Sequence, residues 1–379
     1  MKILFTFPGQ GTQHEGMLQN LPGTELEQAR AVLGAEVDTL DSASSLTHTR
    51  AVQLSLLIAG VAWARELERR GVSPDIVSGL SIGAYPAAVI AGSLDFTDAL
   101  KLVALRGDLM EQAYPHGYGL TAIMGLTLPQ VENLIQGTGT YIANLNAETQ
   151  IVIAGTDDGM AQVAERALAK GASKAKRLAV SVPSHCALLA EPAKKLAAAF
   201  ESVTLSRPRC AYLSGSTGRV LWQPEKIADD LAMNMARTVR WQEAVISANE
   251  REARLAIEMP PGGILTCLTR QAAWEGESIS LERSGVDVAV HLAGRLRACV
   301  FLPGGGCALP GLRVRLYYFV GRVRRNASPP GKASGSVLQT SGVHPPFRGQ
   351  CSQARILLAV AGKDDRNQLL HLVRLCQLQ

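Results

Sequence analysis

The feature that most constrains this chain is a Gly-Leu-Ser-Ile-Gly segment at positions 79–83. It follows a short apolar run and precedes a stretch of good helix formers, Ala84 to Ala91. Gly-x-Ser-x-Gly between a strand and a helix is typical of a nucleophile elbow, a turn so tight that only glycine fits on either side of the serine. The serine hydroxyl then lies over a helix N-terminus, where backbone N–H groups favour a developing oxyanion. The segment therefore predicts an α/β fold with Ser81 as a nucleophile.

The length and composition indicate an ordinary globular protein. A chain of 379 residues, 47% hydrophobic and 19% charged, can form two domains or one large domain with an insertion. The apolar runs 3–7 and 51–64 are too short for a signal peptide and for a bilayer span, respectively, so we expect a cytoplasmic protein with no membrane partner. There is no phosphate-binding loop, metal-ligand cluster or dinucleotide fingerprint, so we expect neither a metal nor a bound cofactor.

The net charge of +5 comes from one end of the chain. Residues 299–379 contain 11 Lys and Arg but only two acids, which gives +9 and leaves −4 for residues 1–298. This segment has no helical charge periodicity and mixes Pro-Gly clusters with apolar patches. We expect it to be poorly ordered and not selected for function, as an out-of-frame extension would be. The alternative is a basic interaction tail.

Strands and helices alternate through most of residues 1–118 and 181–298, which predicts an α/β-hydrolase-like large subdomain with a mainly parallel sheet covered on both faces. The expected strands are Lys2–Phe7, Ile76–Ser78 and Arg254–Met259. The expected helices are 49–70, 82–92, 93–113, 184–200, 224–235 and 241–252, the third with Asp95 or Thr97 in its N-cap region.

Residues 119–180 have a different pattern. Four strands (120–126, 141–146, 151–155 and 176–180) and two helices (129–136 and 157–170) follow one another in the order βαββαβ. That order is typical of the ferredoxin-like split βαβ unit, and it predicts a small subdomain inserted into the large one.

A serine hydroxyl needs a base that removes its proton, and His185 is the best-placed candidate. It lies where a predicted strand ends at Pro183 and a helix is expected to begin, at the junction of the two subdomains. A capping or surface histidine is the alternative. No nearby carboxylate stands out as a third member of a triad.

Arg106 falls within an otherwise apolar helix. A guanidinium among core residues is unfavourable unless it meets an anion, and its planar fork can bind a carboxylate through two hydrogen bonds. A structural ion pair with Asp108 or Glu111 is the alternative. The Gly-Gln-Gly loop at 9–11 can similarly present backbone amides to an oxyanion, or can be no more than a tight turn.

Together these segments resemble the malonyl-CoA:acyl-carrier-protein transacylase family. The resemblance extends over residues 1–298 and is strongest in its N-terminal signature, its nucleophile motif, its Arg-Gly-x-x-Met helix and its histidine motif. The matching segments are 7–13, 79–83, 102–110 and 180–188, with further similarity at 144–155 and 258–268.

Two positions depart from the family pattern. The family usually has His where Leu80 stands and Glu where Ala84 stands. The resulting Gly-Leu-Ser-Ile-Gly-Ala-Tyr-Pro-Ala-Ala sequence resembles the dedicated transacylase (epsilon) subunit of bacterial malonate decarboxylase. This resemblance implies partners among the other subunits of that complex.

The family resemblance also implies a role for each matching residue. Ser81 would be the acylated nucleophile and His185 the general base and then acid, oriented by the backbone carbonyl of Asn234. Backbone amides of Gln10 and Ile82 would form the oxyanion hole. Arg106 and Met110 would bind the acyl group, with Arg106 on its free carboxylate.

The implied reaction moves a malonyl group from malonyl-CoA to the phosphopantetheine-type thiol of an acyl carrier protein through a malonyl-serine intermediate. The partners would thus be malonyl-CoA and the carrier, and no nucleic acid. A transacylase of fatty-acid synthesis, a serine hydrolase and a non-catalytic subunit that docks the carrier remain as alternatives.

Overall fold

The computed structural model describes residues 1–114 and 116–298, together with the backbone of 313–319, 355–361 and 373–374. The chain divides into two compact units, Met1–Gly294 and Arg295–Gln379. All residues predicted to carry chemistry lie in the first unit.

The first unit contains a six-stranded sheet with the order β10-β9-β1-β2-β7-β8. Its pairs are parallel except β7 with β8. The strands are β1 (Lys2–Phe7), β2 (Ile76–Gly79), β7 (Ala211–Leu213), β8 (Val220–Leu221), β9 (Ala253–Glu258) and β10 (Glu277–Ser280).

The two strands at the centre of this sheet position the predicted site. β1 is buried from Ile3 to Phe7, as expected for a parallel strand covered on both faces. β1 and β2 run in parallel with Phe7 opposite Gly79, so the loops that follow them leave the same edge of the sheet side by side. The 9–11 loop and the elbow therefore meet at the carboxyl ends of the strands, where ligands bind in open α/β sheets.

A second, antiparallel sheet has the order β4-β5-β3-β6, which is the ferredoxin-like arrangement. Its strands are β3 (Tyr118–Met124), β4 (Tyr141–Ala147), β5 (Gln150–Thr156) and β6 (Lys174–Arg177). The protein is thus an α/β protein with a mainly parallel large sheet and a ferredoxin-like small one, as the sequence predicts. Edge strand β4 also bonds to the large part of the unit, because the Leu145 amide donates to the Val239 carbonyl at 2.8 Å.

Twelve α-helices are described. They are α1 (Glu25–Leu33), α2 (Thr49–Arg69), α3 (Ala84–Ile90), α4 (Phe96–Ala113), α5 (Leu128–Leu134), α6 (Asp157–Ala169), α7 (Ala190–Phe200), α8 (Pro224–Met233), α9 (Trp241–Glu250), α10 (Ile264–Gln271), α11 (Leu281–Ser284) and α12 (Val286–Ala298). Helix α4 begins at Phe96, three residues later than predicted, and its N-cap is Asp95, one of the two predicted residues; the Asp95 carboxylate accepts a hydrogen bond from the Thr97 amide at 2.8 Å. No helix among the described residues is long and apolar enough to cross a bilayer.

Three of the predicted helix boundaries beside the site differ from the structure. The helix expected from residue 184 begins only at Ala190, after a 3₁₀ turn over 187–189, so His185 is not at a helix start. The helix expected from residue 82 begins with a 3₁₀ turn over 81–83, and the helix expected to reach 235 ends at Met233. In each case a 3₁₀ turn lies at or next to a residue of the predicted site.

The subdomain boundaries remain predictions. Within the second unit, the described strands β11 (Arg313–Phe319), β12 (Arg355–Ala361) and β13 (Val373–Arg374) pair antiparallel. The expectation of a poorly ordered tail over 299–379 stays a prediction, and most of that segment lies outside the described residues.

Candidate active site

The turn around Ser81 has the geometry of a nucleophile elbow. Ser81 has a φ of 57°, in the left-handed region that is strained for a residue with a side chain. A Cβ added to Gly79 would lie 2.0 Å from the Gly83 carbonyl carbon, and one added to Gly83 would lie 2.1 Å from the Phe7 carbonyl oxygen. Both glycines are therefore sterically required, and the backbone holds Ser81 at the tip of the turn.

The loop after β1 lies directly against this elbow. The Leu80 amide donates to the Phe7 carbonyl at 3.0 Å, and a Cβ added to Gly9 would lie 2.9 Å from the Leu80 carbonyl oxygen. This close contact places Gln10, the next residue of the loop, beside the serine turn. The structure thus brings together the segments of Gln10 and Ile82, whose amides are predicted to stabilise the oxyanion.

His185 contacts the serine from a segment more than 100 residues away in the chain. Its Nε2 lies 2.8 Å from Ser81 Oγ, and its Nδ1 lies 2.8 Å from the Asn234 backbone carbonyl. Because a carbonyl only accepts, Nδ1 carries the hydrogen and the Nε2 lone pair faces the serine hydroxyl. The orienting group is a backbone carbonyl, as the family resemblance implies, and not a carboxylate.

An unusual backbone conformation holds this histidine in place. His185 has a φ of 68°, and its amide donates to the Met235 carbonyl at 2.6 Å. Burial of the imidazole, reinforced by the nearby Arg106 charge, lowers the pKa of His185 from 6.5 to about 4. The imidazole is therefore neutral at pH 7, which is the state that a general base requires.

Arg106 lies in α4 and is completely buried. Its Nη2 lies 3.0 Å from Asn234 Oδ1 and 3.3 Å from Ser81 Oγ, whereas its Nε and Nη1 have no hydrogen-bond partner among the described residues. Burial lowers the pKa of Arg106 to about 10, so the guanidinium stays charged at neutral pH. A buried cation with two unused nitrogens beside a nucleophile can receive an anion.

The alternative of a structural ion pair for Arg106 is wrong. Asp108 pairs with Arg50, and Glu111 accepts hydrogen bonds from His48 and from the Thr49 amide. Both acids thus have partners away from Arg106. The tyrosine ring of Tyr85, whose centroid is 6.0 Å from the guanidinium carbon, packs against Arg106 without neutralising its charge.

Met110 lies one helical turn beyond Arg106, on the same face of α4. Its sulfur accepts a hydrogen bond from Gln53 Nε2 at 3.4 Å, and Gln53 Oε1 is buried without a partner among the described residues. Sequence reasoning did not identify Gln53 as a site residue. The available signal was the amide side chain of Gln53, which with Ser55 is one of two polar residues in the mainly apolar run 51–64.

Asn234 contributes more than its backbone. Its side-chain Oδ1 accepts from Arg106, and its Nδ2 donates to the Ser81 carbonyl at 3.4 Å. One asparagine thus contacts the nucleophile, the base and the buried cation. The structure gathers Ser81, His185, Arg106 and Asn234 into one cluster, while their chemical roles remain predictions.

Three other histidines, His14, His48 and His116, do not contact Ser81. His14 pairs with Glu282 and His48 with Glu111, while His116 is exposed. No group of three potential metal ligands (His, Cys, Asp or Glu) occurs among the described residues. The arrangement around Ser81 can support acylation of this serine and can bind an acyl group with an anionic end.

Comparisons with known proteins find relatives along most of this chain. Residues 4–295 match the model of the acyl transferase domain family. The malonyl CoA-acyl carrier protein transacylase of Haemophilus influenzae is 35% identical over 297 residues, which cover 74% of this chain and 95% of the relative. Its counterpart in Bacillus subtilis is 32% identical, with 71% of this chain and 90% of the relative covered.

Solved structures show the same similarity. The acyl-carrier-protein S-malonyltransferase of Burkholderia pseudomallei has a TM-score of 0.73 at 34% identity, covering 77% of this chain and 100% of that one. A malonyl-transacylase in complex with its type II PKS acyl-carrier protein has a TM-score of 0.73 at 32% identity, covering 78% and 100% of the respective chains.

Proposed function

The chain is an enzyme that belongs to the acyl transferase domain family, and from this premise we propose that it transfers a malonyl group from malonyl-CoA to the thiol of an acyl carrier protein. The observation that carries the proposal is the buried, charged Arg106, whose Nε and Nη1 have no hydrogen-bond partner among the described residues. Its Nη2 lies 3.3 Å from Ser81 Oγ, the same oxygen that contacts His185 Nε2. A serine and a histidine suffice for acyl transfer in general. The unpaired cation favours an acyl group that ends in a carboxylate.

The first half of the reaction acylates Ser81. His185 Nε2 takes the proton of the hydroxyl as Oγ attacks the thioester carbonyl, and the Gln10 and Ile82 amides stabilise the oxyanion. The carbon–sulfur bond then breaks, and the proton passes from His185 to the departing CoA sulfur. The products are free CoA and a malonyl ester on Ser81.

The second half repeats these steps with a different nucleophile. His185 takes the proton of the phosphopantetheine-type thiol carried by the partner, and the thiolate attacks the ester. When the carbon–oxygen bond breaks, the proton returns to Ser81 Oγ. The attacking thiol thus belongs to the carrier, while the proton transfers and the oxyanion contacts use Ser81, His185 and the Gln10 and Ile82 amides of this chain.

Arg106 selects the acyl group. A malonyl carboxylate would accept charge-assisted hydrogen bonds from the guanidinium, each contributing about 1.5–3 kcal/mol. An acetyl group would leave the same cation buried and unpaired. The acyl preference thus follows from the charge that the fold has already placed in the pocket.

The lowered pKa of His185 predicts the pH dependence of serine acylation. Because the base is neutral above its pKa of about 4, we expect the acylation rate constant to be flat from about pH 5 to pH 8 and to fall only in more acidic solution. Single-turnover kinetics of malonyl-CoA measure this curve. In Arg106→Met the acidic midpoint should move upward, since one cause of the low pKa is removed; a wild-type midpoint near 6.5 would contradict the prediction.

The finer proposal concerns the carrier. Leu80 packs beside an apolar cluster that includes Val239 and Trp241, and Ala84 is buried, so the positions that usually hold His and Glu are apolar here. This departure favours the carrier of a malonate decarboxylase and its other subunits as partners. The names of the relatives favour the second candidate, a transacylase that serves fatty-acid synthesis.

Malonyl transfer to two purified holo carriers, one of each type, tests this choice. We expect a higher kcat/KM with the malonate decarboxylase carrier, and with either carrier we expect transfer to outpace release of free malonate. A preference for the fatty-acid carrier would assign the enzyme to the second candidate. Hydrolysis faster than transfer with both carriers would favour a serine hydrolase, and no turnover of either kind would favour a docking subunit.

A further inference from the structure

We propose that the Asn234 side chain is a specificity-determining positioning residue that sets Arg106 for a carboxylated acyl donor. The inference rests on the proposed function and extends it to a side chain whose expected role was confined to its backbone carbonyl. Asn234 lies in the 3₁₀ turn after α8 and is 3% exposed. An amide in such a place is kept hydrogen-bonded by its surroundings.

The contacts of Asn234 separate into two independent functions. Its backbone carbonyl accepts from His185 Nδ1, and any residue at this position would supply that acceptor. Its side chain instead joins Arg106 Nη2, 3.0 Å from Oδ1, to the Ser81 carbonyl, 3.4 Å from Nδ2. A substitution can therefore change the arginine contact while the group that orients the base is retained.

The geometry of a guanidinium explains why this one contact matters. Carboxylates bind a guanidinium along an edge, and Nη2 belongs both to the edge it shares with Nη1 and to the edge it shares with Nε. Nη2 has two hydrogens. Asn234 Oδ1 takes one, and the second meets Ser81 Oγ only at the long distance of 3.3 Å.

An incoming carboxylate can therefore replace the weak contact to Ser81 without breaking the contact to Asn234. It would take the second hydrogen of Nη2 together with Nη1 or Nε, both of which have no partner among the described residues. Asn234 thus holds the guanidinium so that the edge free to bind a carboxylate lies beside Ser81. The carboxylate then binds next to the serine that attacks the same acyl group.

The neutral charge of the amide is the second requirement. An aspartate at position 234 would have nearly the same shape and could still accept from Arg106, but its own negative charge would pair with the guanidinium. The receptor would then lose the charge that attracts the substrate carboxylate. Asparagine supplies the hydrogen bond and leaves the positive charge for the substrate.

The test compares Asn234→Asp and Asn234→Ala with the wild type in single-turnover acylation by malonyl-CoA and by acetyl-CoA. We expect Asn234→Asp to lower the malonyl-to-acetyl ratio of rate constants about 100-fold, which corresponds to one charge-assisted contact. Asn234→Ala should lower the ratio by a smaller factor. Its acidic pH midpoint with acetyl-CoA should stay in place, because the backbone carbonyl still orients His185.

The matched control is Asn249→Asp. Asn249 Oδ1 accepts from Arg254 Nη1 at 3.3 Å, so this variant makes the same change at an asparagine–arginine contact outside the site. Its malonyl-to-acetyl ratio of rate constants should equal that of the wild type. If Asn249→Asp lowers the ratio as well, charge alone explains the effect and the inference is overturned.

Two further outcomes are decisive. Equal loss of malonyl and acetyl transfer in both Asn234 variants would show a structural role and overturn the inference. If the aspartate variant does not fold, the malonyl-to-acetyl ratio of Asn234→Ala decides alone. Failure of the wild type to form a malonyl ester would instead refute the proposed function. The two failures are therefore distinguishable within one experiment.

Discussion

His185→Ala is expected to lower acyl transfer about 1,000-fold, within the range that general acid–base catalysis contributes. The variant removes the group 2.8 Å from Ser81 Oγ that accepts the proton, and among the described residues no other side chain except that of Arg106 bonds to this oxygen. A charged guanidinium donates only and cannot replace the base. Steady-state transfer of malonyl from malonyl-CoA to a holo carrier measures the loss.

Two controls separate chemistry from folding. His116→Ala changes an exposed histidine and should retain wild-type activity. Thermal unfolding of His185→Ala should show a folded protein with a single transition, because the elbow and its glycines are unchanged. Activity within tenfold of the wild type in folded His185→Ala would contradict the assignment of the base.

Arg106→Met is expected to lower kcat/KM for malonyl transfer about 100-fold and to affect acetyl transfer far less. Methionine keeps much of the buried volume but removes the cation, so only a donor that carries a carboxylate loses a partner. The free energy of unfolding should stay the same or rise by about 1 kcal/mol, since an unpaired buried charge disappears. Competition between the two donors measures the first effect, and denaturant unfolding measures the second.

Arg50→Met is the matched control for this variant. Arg50 is partly exposed and pairs with Asp108 and Glu36, so its carboxylate partners belong to the protein. Its replacement should leave the preference for malonyl over acetyl unchanged. Equal losses with both donors in Arg106→Met would remove the basis for Arg106 as a carboxylate receptor.

The parts of the fold that the sequence predicts are those with strong local signals. β1 is apolar from Ile3 to Phe7 except for Thr6, and α2 is long and apolar along much of its length. The βαββαβ order of the small sheet is visible as alternating short segments. Strands β7 and β8 have only three and two residues, too few for any periodicity to show. Their positions depend on pairing with β2 and with each other, which is a tertiary effect.

The candidate site divides in the same way. The elbow is predictable because steric crowding makes Gly79 and Gly83 necessary, and both glycines lie within two residues of Ser81 in the sequence. The left-handed backbone at His185 is not predictable, since it depends on a hydrogen bond to the distant Met235 carbonyl. The Asn234 side chain gives no local signal because its partner Arg106 is 128 positions away in the chain.

The central claim is a covalent malonyl-serine, and intact-protein mass spectrometry after brief exposure to malonyl-CoA tests it most directly. We predict one malonyl adduct on the wild type and none on Ser81→Ala, with the adduct lost when a holo carrier is added. An adduct on both proteins would place the acyl group on another residue. No adduct on folded wild-type protein would contradict the account and favour a subunit that only docks the carrier.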